Sequence, residues 1–147
     1  MTAKAYLSQA MHIDQRINSK LAQLSSLRET AFKATATVSD MPRAESSGKQ
    51  RLEATICRIV DLENEINEDI DRLVDLKADL YHRIGRVQNK EYQLVLELRY
   101  LCFKSWREIA EALGKEERYT LKLHGRALAE FEKVFPEAGV KDIERHS

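Results

Sequence analysis

ELRYLCFKSWREIAEALGKEERYTLKLHGRAL, residues 97–128, carries the start and stop signals of two short helices joined by a tight turn. The Ser105 hydroxyl can accept from the N–H three residues on, and Glu108 at that position can reach back to the Ser105 N–H, which is a capping box. Ile109, Ala110 and Leu113 then repeat at helical spacing, and Gly114 supplies the left-handed backbone that ends the helix. A second helix from about Glu116 places Thr120, Leu123, Ala127, Leu128 and Phe131 on one face. Glu117, Arg118, Leu121 and Lys122 fall on the other. Asn89 caps a preceding helix whose Tyr92, Leu94, Val95, Leu96 and Leu98 cover the pair from behind. Trp106, Ile109 and Leu113 are expected to be buried against that helix.

Two short helices joined by a tight turn, the second offering long polar side chains from its N-terminal half, have the dimensions of a helix-turn-helix that enters the DNA major groove. By spacing alone, an ordinary three-helix packing unit with a charged surface fits as well. The residues Leu96 to Tyr100, then Glu108, Ile109, Ala110, Leu113 and Gly114, then Arg126, Ala127 and Leu128 resemble the sigma-70 region 4 pattern LxLRY...EIAxxLG...RAL. The phrase LELRYLCFKSWREIA, the closing HGRAL and the N-terminal AYLSQA...DQRINSKL are similar to small phage and prophage sigma-70-like (DUF1492-type) transcription regulators of Gram-positive bacteria, over most of the chain. That resemblance implies a double-stranded DNA partner, with Glu117, Arg118, Leu121 and Lys122 as sequence-reading positions and Lys115 and Arg126 nearer the phosphates. It also permits contact with RNA polymerase. The chain departs from the family at Glu116, where a polar N-cap such as Ser is usual, and at Thr120, where a branched apolar residue is usual; both changes weaken the expected recognition helix.

Residues 89–133 hold nine basic and eight acidic side chains, a net of +1. That is a small footprint for binding phosphate, so a single copy is expected to bind DNA weakly. Glu116 and Glu117 favour the helix dipole but oppose phosphate.

The chain of 147 residues has no net charge, five Gly and two Pro, and is 33% charged, which points to an almost wholly helical protein. No apolar run has signal-peptide or membrane-spanning length, so a cytoplasmic location in a bacterial host and no membrane partner are expected. Cys57 and Cys102 lack a second cysteine nearby and are expected as buried or half-buried free thiols, with a structural bridge as the alternative. The four His show no zinc spacing, and His124 is expected as a hydrogen-bonded structural residue, with a phosphate contact as the alternative. With no phosphate loop, dinucleotide turn or nucleophile elbow, no enzyme, cofactor or metal is implied.

Upstream, Leu52, Ile56, Ile59, Glu63, Ile66, Ile70, Leu73, Lys77, Leu80, Ile84 and Val87 alternate at spacings of four and three. This predicts one helix of about 40 residues, about 60 Å long, with a seam broken by Glu63 and Lys77. Ala10, Ile13, Ile17, Leu21, Leu24, Leu27 and Ala31 predict an earlier helix from about Ala3 to Lys33. Residues 37–48, with Pro42 and Gly48 among polar residues, read as a flexible connection. The earlier helix carries five basic residues against two acids, whereas 61–79 carries eight acids against Arg72 and Lys77, which favours an antiparallel pairing.

The expected fold class is therefore all-α: a long antiparallel helical hairpin or coiled coil over residues 1–88, a three-helix helix-turn-helix unit over 89–135, and a weakly ordered tail over 136–147. Val60, Leu62, Val74 and Leu76 widen the apolar face of the long helix beyond what one partner covers, so a homo-oligomer is expected through Ile59, Ile66, Ile70 and Leu73. The function implied is a phage-type DNA-binding transcription regulator. The alternative is a non-enzymatic helical adaptor that binds a repressor or a polymerase subunit through its coiled-coil arm.

Overall fold

The computed structural model describes the backbone of residues 1–40 and 45–136, and the side chains of 1–36 and 48–136. The chain is all-α: α1 (Ala3–Leu7), α2 (Gln9–Asp40), α3 (Glu45–Gly85), α4 (Lys90–Tyr100), α5 (Trp106–Leu113) and α6 (Glu117–Val134), with no strand among the described residues. Two compact units form, one from Met1–Ile13 and the chain from Leu73 onward, the other from Asp14–Arg72.

The first unit has the larger core. Leu7 and Ala10 meet Leu80, Ile84 and Val87 from the end of α3, Val95, Leu96 and Tyr100 of α4, Ile109 of α5, and Leu123, Ala127 and Phe131 of α6. The compact unit thus draws in α1 and the last turns of α3 besides residues 89–135. Tyr6 donates to Asp79, and the Arg83 guanidinium lies over the Tyr6 and Phe135 rings at 5.2 Å each. These hydrogen bonds from Tyr6 and Arg83 hold the Asp79 carboxyl below its usual range despite partial burial, which pushes the other way.

Local signals explain the boundaries. Thr2 caps α1, and Ser8, whose hydroxyl donates to the Lys4 carbonyl at 2.6 Å, interrupts the helix expected to run unbroken from Ala3. Asn89 accepts from the N–H groups of Glu91 and Tyr92 at 2.9 and 3.1 Å, satisfying donors that the first turn of α4 leaves open. α6 stops at Val134 because Phe135, which precedes Pro136, takes φ −127° and ψ 74°, outside the helical region that proline disfavours for its predecessor.

In the second unit α2 and α3 run in opposite directions: Lys20 pairs with Asp69 at 2.6 Å and Arg28 with Glu63 at 3.6 Å, so one partner advances as the other recedes. Its buried apolar side chains among the described residues are Ile17, Leu24, Leu62 and Ile66. The buried stripe of α3 is not the expected one. It runs through Ile59, Leu62, Ile66 and Asp69 rather than through Ile56, Glu63 and Ile70. Both stripes share every seventh residue and differ by one position in between, so spacing alone could not separate them. Glu63 consequently sits at the flank, Ile56 and Ile70 are exposed, and Asp69 occupies an inward position with the Lys20 ammonium upon it.

Two further expectations are corrected. Residues 37–40 and 45–48, read as part of a flexible connection, are helical, and 41–44 lie outside the described residues, as does the tail beyond residue 136. Cys57 and Cys102 are free but exposed rather than buried. Cys57 is two residues from Ile59, about half a turn away from the inward stripe, and Cys102 lies just past the end of α4.

Candidate nucleic-acid interface

α5, its turn and α6 follow from a few local bonds. The Ser105 side chain accepts from the Glu108 N–H at 3.2 Å, and the Glu108 carboxylate accepts from the Ser105 N–H at 3.1 Å. These two bonds also hold the Glu108 carboxyl below its usual range. At the other end Gly114 adopts φ 65° and ψ 33°, with its N–H on the Glu111 carbonyl and the Lys115 N–H on the Ala110 carbonyl. That is the paired bonding of a Schellman stop, in which a side chain at the left-handed residue is strained. α6 begins two residues later from Glu116, whose side chain makes no cap.

α4 meets α5 through a second left-handed residue, Phe103, at φ 57°. The Cys102 N–H bonds to the Glu97 carbonyl and the Lys104 N–H to the Leu98 carbonyl across this turn. Lys77 lies over the Phe103 ring at 4.5 Å, and Arg99 donates to the Lys104 carbonyl at 2.9 Å. The turn is thereby held by α4 and, through Lys77, by α3.

The inward face of α6 consists of Thr120, Leu123, His124, Ala127 and Phe131, all buried. Thr120, the departure expected to weaken this helix, is fully buried, and its hydroxyl is satisfied by the Glu116 carbonyl at 3.1 Å. The Tyr100 hydroxyl and His124 Nε2 are 2.6 Å apart, and the Trp106 ring stands edge-on to His124 with centroids 4.5 Å apart. Burial pushes the Tyr100 hydroxyl up to about 12. Burial first, then the charges of Lys4 and Arg99, pushes His124 down to about 4, so its imidazole is neutral at physiological pH. Trp106 is half-buried rather than buried, with the Arg99 guanidinium 4.6 Å from its ring; Leu113 is also half-buried, while Ile109 is fully buried. On α4, Val95 and Leu96 are buried, but Leu94 is exposed.

The six positions singled out from the sequence are all exposed: Lys115 in the turn, and Glu117, Arg118, Leu121, Lys122 and Arg126 on α6. At about 100° per residue, Arg118, Lys122 and Arg126 fall opposite the buried face, with Gly125 and Ala129 on the same outward side and Glu117 towards one edge. Among the described residues no ion pair occupies Arg118, Lys122 or Arg126. By contrast, Lys104 and Arg107 on the α5 side pair with Glu108 and Glu111.

Sequence reasoning missed Tyr119 and Gly125. Tyr119 donates to the Glu91 carboxylate at 2.8 Å, bracing the start of α6 on α4, and Lys115 lies 5.5 Å from its ring centroid. The bond to Glu91 raises the Tyr119 pKa. Only the tertiary approach of α4 to α6 makes this pair, whereas Gly125 was open to recognition, because helical period alone places it on the outward side, between Leu121 and Arg118 round the helix. A Cβ added at Gly125 would meet nothing within 4 Å, so the fold itself does not require glycine there.

Of the residues expected at an oligomer interface, Ile70 is exposed, Ile59 and Leu73 are half-buried, and Ile66 is buried within its own unit. No group of three metal-ligating side chains gathers among the described residues, and none of their helices is long and apolar enough to cross a membrane. No family model, curated protein or solved structure matches the chain.

Proposed function

We propose that the chain is a DNA-binding regulator of transcription, a helix-turn-helix protein in which α6 enters the major groove, acting in the cytoplasm of a bacterial host on phage-type gene expression. The observation that carries this reading is the outward face of α6, where Arg118, Lys122 and Arg126 stand without ion-pair partners among the described residues, opposite a fully packed inward face. Long cations projecting from a rigid helix are the groups that contact base edges and phosphates. Lys115 extends the same charge to the turn, and Gly125 with Ala129 leaves the helix backbone free to approach a groove closely. The resemblance to phage sigma-70 region 4-like regulators supports the same assignment, and contact with RNA polymerase belongs to it. The low net charge of residues 89–133 implies weak binding by one copy. Two linked copies on two half-sites gain roughly 10² to 10⁴ in overall affinity.

Binding of fragmented source-genome DNA, followed by fluorescence anisotropy on the enriched site, tests the proposal. Arg118→Ala is expected to lose about 1–3 kcal/mol on the enriched site, and Lys122→Ala to weaken all sequences alike if it holds phosphate. Unchanged affinity in the double variant, with helix content intact, overturns the assignment.

The adaptor reading is favoured by a different observation: Leu121 is 46% exposed on the same face, beside the acids Glu116 and Glu117. Salt separates the two. DNA affinity falls steeply with ionic strength, whereas docking through an apolar helix face does not.

A further inference from the structure

Among its described residues, the unit of residues 14–72 leaves five large apolar side chains open: Leu21 and Phe32 on α2, and Ile56, Val60 and Ile70 on α3. Counting about 100° per residue, Leu21 and Phe32 lie about 60° round α2 from the buried Ile17 and Leu24. Ile56, Val60 and Ile70 lie about 100° round α3 from the buried Leu62 and Ile66, in the same rotational sense. Because the helices are antiparallel, rotations of the same sense bring both sets to one side of the pair. The ion pairs set the levels: with Lys20 beside Asp69 and Arg28 beside Glu63, Leu21 falls level with Ile70, and Phe32 with Ile56 and Val60. One face therefore presents two apolar patches about 15 Å apart, divided by a polar band at Ser25, Arg28, Glu63 and Asn67.

The charges of the two helices are opposite. Over the described side chains of this unit, α2 carries Arg16, Lys20, Arg28 and Lys33 against Asp14 and Glu29. α3 carries four cations against seven acids between residues 48 and 72. We infer that a second copy of this chain covers the face, related by a twofold axis parallel to the helices, so that α2 of each copy lies antiparallel on α3 of the other in a four-helix bundle. This arrangement meets three conditions together. Phe32 of one copy reaches Ile56 and Val60 of the other at the same level, Leu21 reaches Ile70, and the basic helix faces the acidic one. A twofold perpendicular to the helices would instead stack α3 on α3 and place its acids against themselves, at a cost that the patches alone must offset. The proposed face differs from the oligomer contact expected from heptad spacing: Ile70 is common to both, Ile66 is buried within each hairpin, and Phe32 and Val60 join the contact.

Sedimentation equilibrium of the full chain at tens of micromolar, without DNA, tests the inference independently of any DNA reading, and failure of either leaves the other standing. The expected mass is twice 17.0 kDa. Val60→Glu with Ile70→Glu, at positions already 51% and 41% exposed, is expected to weaken association at least a hundredfold with helix content unchanged. In protein carrying Cys57→Ser and Cys102→Ser, mixing Leu21→Cys with Ile70→Cys under mild oxidation is expected to give the mixed covalent dimer. A monomer at that concentration overturns the second copy as occupant, and covalent dimers of Ile70→Cys alone overturn the arrangement.

Discussion

The unit built around α4, α5 and α6 and the hairpin of residues 14–72 are both helical, yet they are held differently. In the first, side chains from every helix converge on one core around Leu7, Leu80, Tyr100, Ile109 and Phe131, all nearly inaccessible. In the second, two helices share one stripe, the apolar burial rests on Ile17, Leu24, Leu62 and Ile66, and an ion pair takes an inward position. Two helices alone can enclose only the line between them, so whatever apolar surface lies round the side stays in water. The difference teaches that helix content says little about self-sufficiency. What matters is how many directions the packing comes from.

The sharpest way to break this comparison is to empty one residue from each core. Phe131→Ala is expected to cost about 3–5 kcal/mol, as for other buried aromatics, and Leu24→Ala only about 2 kcal/mol, because water reaches its site. Urea unfolding followed by circular dichroism measures both, and equal losses would remove the distinction.

The next effect belongs to the first unit alone. The folded pKa of His124, about 4, lies below its unfolded value near 6.5, so the unfolded chain binds the extra proton first as pH falls. Its contribution is therefore full above about pH 6.5 and is lost as pH falls towards 4, with a loss of about 2 kcal/mol by pH 5. Stability measured between pH 7 and 5 should carry this slope in the unmodified protein and lose it in His124→Gln. A slope that survives the substitution would assign it to another group.

In the hairpin the corresponding polar feature is Asp69, whose side chain is 7% exposed, with Lys20 at 2.6 Å and Arg72 at 4.0 Å. Lys20→Met leaves the carboxylate with the weaker partner and is expected to cost about 1–2 kcal/mol, while Lys20→Met with Asp69→Leu should restore or exceed the original stability. Thermal unfolding of the two variants side by side reads the sign. A double variant less stable than the single one would mean that the ion pair stabilises more than apolar packing can.

The smallest effect concerns a surface that neither core uses. Gly125→Ala is expected to raise stability by about 0.5–1 kcal/mol, since the added methyl meets nothing and helical alanine loses less entropy than glycine. On the proposed reading the same methyl faces the groove and weakens DNA binding. Stabilisation with unchanged affinity for the enriched site would place the DNA contact elsewhere on α6.

Much of the local structure was legible because its causes are local. Ser105 with Glu108, Asn89 and Gly114 each act within four residues, and all three set helix ends where spacing put them. The inward face of α6 was legible for the same reason, since a period of 3.6 admits one apolar stripe there. α3 was harder, because Ile56, Val60 and Ile70 offer a second stripe as apolar as the buried one. Spacing favoured Glu63, Ile70 and Lys77, and the fold chose Leu62, Asp69 and Leu76.

By itself, then, the amino-acid sequence determined the all-helical class, the caps and stops of α4 and α5, the inward face of α6 and the exposed cations opposite it. These depend on hydrogen bonds and periodicities a few residues long. Only the tertiary structure decided which stripe of α3 faces α2, that α1 and the last turns of α3 join the core of α4 to α6, that Trp106 stays half-open beside Arg99, and that Tyr119 is braced by Glu91. Each of these depends on which distant segment arrives to compete for the same surface, and no local period encodes that arrival.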